Sequence, residues 1–93
     1  MHVAVIQIEL FLLESQSLKS KREVLQSLKT RIRNKFNVSV AEVGENDKWQ
    51  KAVLGIASVT NDRRFQDKMI SQILNLIESE DRVEIIGHQV EIF

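Results

Sequence analysis

Apolar and polar positions in the first part of the chain alternate with the two-residue period of a β-strand. Residues 3–13 carry one unbroken apolar row, made of Ala4, Ile6, Ile8, Leu10 and Leu12. The opposite row contains Val3, Val5 and Phe11 but also two polar residues, as expected for a central strand whose second face is partly open. The segment therefore predicts a strand with one buried face.

From Leu18 the apolar spacing changes to that of a helix. Leu18, Leu25, Leu28, Ile32 and Phe36 fall on one side, with Val24 at its margin. Ser17 is a candidate N-cap, but Ser20 and Glu23 have capping-box spacing one turn later, so two starts are open. The pattern predicts an amphipathic helix that ends near Asn37.

The second half of the chain predicts a β-hairpin, a second helix and a last strand. Residues 37–43 and 50–59 are β-rich, and Gly44–Asp47 between them suits a tight turn. Residues 60–62 form a helix cap, and the helix to about Glu78 has an apolar row of Phe65, Met69, Ile73, Leu76 and Ile77. In residues 82–93 the alternation shifts at Gly87, which indicates a bulge.

The order β-α-β-β-α-β predicts an α+β, ferredoxin-like (split βαβ) sandwich formed by a single domain over residues 1–93. We expect a four-stranded antiparallel sheet with strand order 4-1-3-2 and both helices on one face. The other face stays uncovered, and Val3, Val5 and Phe11 contribute to it.

Composition excludes several classes of protein. The chain has no cysteine, which removes disulfides, thiolate nucleophiles and Cys-based zinc sites and favours a reducing compartment. Its longest early apolar stretch is too short to span a bilayer and lacks the features of a secretory signal. We therefore expect a cytoplasmic protein that does not bind membranes.

Motifs for catalysis and for metal or nucleotide binding are missing. No Walker loop, G-x-S-x-G or H-E-x-x-H pattern occurs, and the predicted register keeps His2 and His88 too far apart to share an ion. Glu42 and Asp47 are expected to form structural ion pairs. The sequence predicts no enzyme activity, no cofactor, no metal and no small-molecule substrate.

Charge is distributed unevenly along a chain whose net charge is zero. Residues 18–35 contain seven basic residues and one acid, a local charge of +6. Four of these cations, together with Gln26, follow one flank of the predicted helix and are candidate phosphate contacts: Lys19, Arg22, Lys29 and Arg33. The alternative is an ordinary solvated helix face.

Several longer segments resemble one family of small bacterial proteins. They are S-L-K-x-K-R from Ser17, R-x-R-N-K-F-N-V-S-V-A-E-V from Arg31, D-x-W-Q from Asp47 and L-G at Leu54. Together they span essentially the whole chain, and the sequence resembles the YlxP-like family. The resemblance implies a ferredoxin-like fold and a domain of unknown function without known catalytic residues. Members are often encoded beside transcription and translation factors, which implies a role around ribosome assembly or RNA.

Three functional hypotheses follow. The first is a non-enzymatic RNA- or ribosome-associated module that uses the basic helix. The second is a homodimeric or protein-partner interaction domain that uses the open sheet face, with Val3, Val5, Phe11 and Trp49 as interface residues; Trp49 otherwise packs on the sheet edge. The third, a small-molecule-binding regulatory domain or an enzyme, draws only on fold analogy. Base stacking on the sheet, as in RNA-recognition motifs, is disfavoured because the third strand has no aromatic residue.

Overall fold

The first strand forms the centre of one antiparallel sheet. The computed structural model describes all of residues 1–93. Its elements are β1 (His2–Leu12), α1 (Leu18–Lys35), β2 (Ser39–Gly44), β3 (Lys51–Thr60), α2 (Arg63–Glu78) and β4 (Val83–Ile92). The strands lie in the order β2-β3-β1-β4, which is the predicted order viewed from the opposite edge. The predicted fold class is confirmed.

The buried core lies between the sheet and the two helices. Every member of the predicted apolar row of β1 is buried, and it meets alternating residues of β3 such as Leu54 and Ile56. The helices close this layer with residues at helical spacing, which are Leu25, Leu28 and Ile32 on α1 and Met69, Ile73 and Ile77 on α2. Burial of each large aliphatic side chain stabilises the fold by about 1.5–3 kcal/mol.

Side-chain caps fix where both helices begin. The Ser17 hydroxyl accepts a hydrogen bond from the Ser20 backbone N–H at 3.0 Å, so Ser17 is the N-cap and the later start at Ser20 is wrong. Asp62 caps α2 through the Phe65 N–H at 3.1 Å. Neither helix is both long enough and apolar enough to cross a bilayer.

The start of α2 differs from the predicted apolar row at one position. Phe65 is 59% exposed, and Gln66 is fully buried in its place. Gln66 continues the inward row through Met69, whereas Phe65 lies about 100° away around the helix. The Gln66 amide nitrogen donates to the His2 carbonyl at 3.3 Å and to the Ser58 hydroxyl at 3.2 Å, whereas its buried Oε1 has no partner, so burial of this group is only partly compensated.

Two bulges interrupt the sheet. In the β1–β4 pair, Glu9 lies opposite Gly87 and Leu10 opposite Ile85, so Ile86 is the extra residue beside the predicted position. In the β2–β3 pair, Val43 is extra and was not predicted. Val43 folds over Gly55, where an added Cβ would lie only 2.9 Å from Val43 Cγ1, so this close approach requires glycine.

Candidate nucleic-acid interface on the first helix

Three of the predicted basic residues lie together on the outer flank of α1. Because α1 buries the side that carries Leu25 and Leu28, it turns Lys19, Arg22 and Lys29 away from the core. All three line an open depression of about 910 Å³, and none forms an ion pair or hydrogen bond within the chain. Their charges are therefore available to a ligand.

The fourth predicted residue, Arg33, has a structural contact. Its guanidinium donates a hydrogen bond to the Val40 carbonyl of β2 at 2.8 Å. Since β2 is an edge strand, this bond fastens the end of α1 to an edge that could otherwise pair with another chain. A guanidinium has five N–H donors, so Arg33 keeps donors for an anion at the end of the row.

The opposite flank of α1 is fastened by ion pairs. Arg31 lies 3.1 Å from the Glu80 carboxylate, which Arg82 contacts at 2.8 Å. The hydrogen bond from Arg82 lowers the pKa of Glu80 from 4.5 to about 2, so Glu80 is ionised at neutral pH. The Arg31–Glu80 ion pair thus joins α1 to the connection between α2 and β4.

Lys21 is the one basic residue of α1 that is buried, with 1% of its side chain exposed. Its ammonium donates to the backbone carbonyls of Glu45 and Lys48 at 2.6 and 2.7 Å, and it lies 2.8 Å from the Glu42 carboxylate. Two of its three N–H groups thus have carbonyl acceptors, and the carboxylate compensates the charge as an ion pair, although Glu42 Oε2 accepts no hydrogen bond. The expected ion pair of Glu42 is confirmed, whereas Asp47 forms none.

A sequence signal for the burial of Lys21 was available but was missed. Residues 21, 25, 28 and 32 follow the 4-3-4 spacing of one helix face, so Lys21 occupies the first position of the apolar row. Because lysine is charged, we expected Lys21 among the solvated cations. The periodicity, taken together with an acid on β2, could have indicated a buried pair.

The four predicted interface residues fall into two groups. Phe11 and Trp49 line one depression of about 850 Å³ beside the loop that connects β2 and β3, and Trp49 is 54% exposed. Val3 and Val5 lie on the open sheet face towards the other end of β1, with Val5 six residues from Phe11, or about 20 Å along the strand. The sequence did not indicate that Trp49 and Phe11 share a surface.

The two histidines do not come together. The β1–β4 register places His88 opposite Ile8, six positions from His2. Two strand positions so far apart are separated by about 20 Å, well beyond the span of one metal ion's ligands.

Comparison with known proteins gives one family and one fold. The family model described as "Protein of unknown function (DUF503)" matches residues 3–90. The chain is 38% identical over 82 residues to the "Uncharacterized protein YlxP" of Bacillus subtilis (strain 168), an alignment that covers 88% of this chain and 89% of the relative.

Three solved structures share the fold at low sequence identity. Protein YJCS has a TM-score of 0.55 at 8% identity, with 96% of each chain covered. The de novo designed protein Foldit4 has a TM-score of 0.54 at 16% identity, with 100% of this chain and 94% of the other covered. SnoaB, a cofactor-independent oxygenase from Streptomyces nogalater, has a TM-score of 0.53 at 11% identity, with 97% and 90% covered. At these identities the likeness concerns the fold alone.

Replacement of Lys21 by alanine tests the buried contact. The change leaves the Glu42 carboxylate and two carbonyls without their cation, so Lys21→Ala should lower the free energy of unfolding by about 3–5 kcal/mol. Lys19→Ala, two residues away and exposed, should change it by less than about 0.5 kcal/mol. Equilibrium unfolding in urea measures both.

A Lys21→Met/Glu42→Leu double variant serves as the control for that experiment. It removes both charges and keeps apolar volume, so it should be more stable than Lys21→Ala. A loss below about 1 kcal/mol for Lys21→Ala would contradict the role given to this contact.

Proposed function

This chain belongs to the DUF503 family of proteins of unknown function, and on that premise we propose that it is a non-enzymatic module that binds RNA or the ribosome through α1. The observation that carries the proposal is the unpaired row of Lys19, Arg22 and Lys29. Arg33 extends the row at the C-terminal end of α1. In a protein with no net charge, this flank of α1 carries three unpaired cations within three turns of helix.

The length of the row suits a nucleic-acid backbone. Lys19 and Arg33 are 14 residues apart, which corresponds to about 21 Å along a helix. That length covers several successive phosphates of one strand. Arginine forms forked hydrogen bonds to phosphate oxygens, and lysine supplies a point charge. Neither type of phosphate contact distinguishes one base from another. We therefore expect binding that depends strongly on salt and weakly on sequence.

Several observations favour a binding module over an enzyme. The two groups with clearly shifted pKa values, Glu80 and Arg82, are paired with each other, so their shifts have a structural cause. The surface along α1 is an open depression, whereas acid–base catalysis favours sites that exclude water. The absence of cysteine agrees with a cytoplasmic protein, which is where we place this function.

Charge reversal on α1 tests the proposal. Arg22→Glu/Lys29→Glu should weaken binding to ribosomal RNA and reduce the slope of log affinity against log salt by about 1.4, if two phosphate contacts of a single strand are lost. Fluorescence anisotropy of labelled RNA across a salt series measures the affinities. Both side chains lack intramolecular partners, so the variant should keep its fold, as circular dichroism will establish.

The matched control reverses two charges on the other helix. Arg64 and Lys68 of α2 are exposed and unpaired, so Arg64→Glu/Lys68→Glu changes the net charge equally. This control should retain wild-type affinity to within about threefold, since only long-range electrostatics are altered. Equal losses for the two variants, or no binding by the wild type, would overturn the proposal.

The open sheet face supports a second candidate function, which is self-association. Val3 lies opposite Val59 in the β1–β3 pair, and Val59 and Phe93 remain 62% and 68% exposed. Exposed apolar residues grouped on one face are typical of interfaces between subunits.

Substitution of Val59 tests self-association. If the valine patch formed by Val3, Val5 and Val59 forms a dimer, sedimentation equilibrium should give twice the monomer mass for the wild type. Val59→Lys should dissociate the dimer because an unpaired charge would be buried. Asn34→Lys, which adds the same charge on the exposed side of α1, should remain dimeric. A wild type that is monomeric at high concentration would exclude this candidate.

A further inference from the structure

Phosphate binding by the cations of α1 gives no role to the exposed aromatic residue in the β2–β3 loop. Trp49 is the only tryptophan of the chain and more than half of its surface is exposed. The depression that it lines with Phe11 is otherwise polar, and its remaining residues are Ser15, Gln16, Asp47, Lys48, Gln50 and Lys51. An aromatic surface is thus surrounded by hydrogen-bonding groups and two cations.

The backbone on both sides of Trp49 is held in place. On one side the Lys48 carbonyl accepts a hydrogen bond from the buried Lys21 ammonium at 2.7 Å. On the other side the Gln50 carbonyl accepts one from the Leu12 N–H of β1 at 2.8 Å. Because both neighbours are fastened, the indole is presented on an ordered loop, which lowers the entropic cost of binding.

We propose that this depression binds an unpaired base of RNA by stacking on Trp49, which makes the module selective for single-stranded RNA. The inference rests on the proposed function. Every base has a π-face that stacks on an aromatic side chain, whereas bases inside a duplex are stacked on each other and are not available. A protein side chain docked in the same depression is the competing occupant.

The lining residues have the chemistry that a flipped-out nucleotide needs. The amides of Gln16 and Gln50 both donate and accept hydrogen bonds, and the Asp47 carboxylate accepts from base amino and imino groups. Lys48 and Lys51 supply cations for the adjoining phosphates. Lys48 is also 3.7 Å from Glu45, but more than half of its side chain is exposed, so this weak pair leaves it accessible.

The depression lies close enough to the α1 row for one RNA strand to reach both. Gln16, which lines the depression, precedes Lys19 by three residues. Three residues span at most about 10 Å, so the Cα of Lys19 lies within that distance of the Cα of Gln16 at the rim of the depression. A strand whose phosphates follow α1 would therefore reach the depression within a few nucleotides of Lys19.

Tryptophan fluorescence reads this site directly. The chain has one tryptophan and no tyrosine, so its emission reports on the β2–β3 loop alone. Titration with a 12-residue oligouridylate should quench this emission at the concentrations at which the anisotropy of the labelled oligonucleotide rises. Trp49→Ala should weaken oligouridylate binding by about fivefold or more, and Trp49→Phe should retain most of the affinity. A blunt RNA duplex should bind wild type and Trp49→Ala alike.

Phe65→Ala is the matched control, because it removes an equally exposed aromatic side chain from α2. It should leave affinity and quenching unchanged. If oligouridylate binds with salt dependence but without quenching, and Trp49→Ala binds as tightly as the wild type, the base site is refuted while the role of α1 stands. If neither RNA binds the wild type, the proposed function fails and the base site fails with it.

Discussion

The buried ammonium of Lys21 is the contact on which the arrangement of this surface depends. Removal of a lysine from water costs several kcal/mol, and this cost is offset because the charge meets the Glu42 carboxylate and two backbone carbonyls at 2.6–2.8 Å. The partners belong to β2 and to the loop that follows it, so one side chain ties the helix to both. Together with the buried leucines of the same helix face, this contact fixes the rotation of α1 about its axis, which places Arg22 and Lys29 outside.

The basic helix separates structural cations from free ones. Lys21 and Arg31 are paired with acids, and Arg33 binds a strand carbonyl. The unpaired cations are Lys35, which lies over the Phe36 ring, and the short row that starts with Lys19. For this reason the charge of +6 over residues 18–35 is larger than the charge that is free to bind an anion. The position of the free cations on one flank matters more than their number. The α1 proposal concerns that row, and the base site concerns the loop that Lys21 holds beside it.

The parts of the fold that depend on local pattern were predictable from sequence. Alternation over β1 gave a strand, the order of elements gave the sheet topology, and Ser17 was one of two candidate caps. The features that the sequence did not predict depend on tertiary contacts. Phe65 is more apolar than Gln66, but only the folded chain supplies the His2 and Ser58 acceptors for the buried amide nitrogen of Gln66. Trp49 and Phe11 meet across a long stretch of chain, and no periodicity carries that information.

The most direct measurement of the central claim is a chemical-shift map of the backbone amides on addition of single-stranded RNA. The account predicts that the perturbed amides concentrate in residues 16–30 and 45–51, where the α1 row and the Trp49 loop lie. The amides of the valine patch, at Val3, Val5 and Val59, should keep their positions. Perturbations confined to the open sheet face, or none at saturating RNA, would contradict the account.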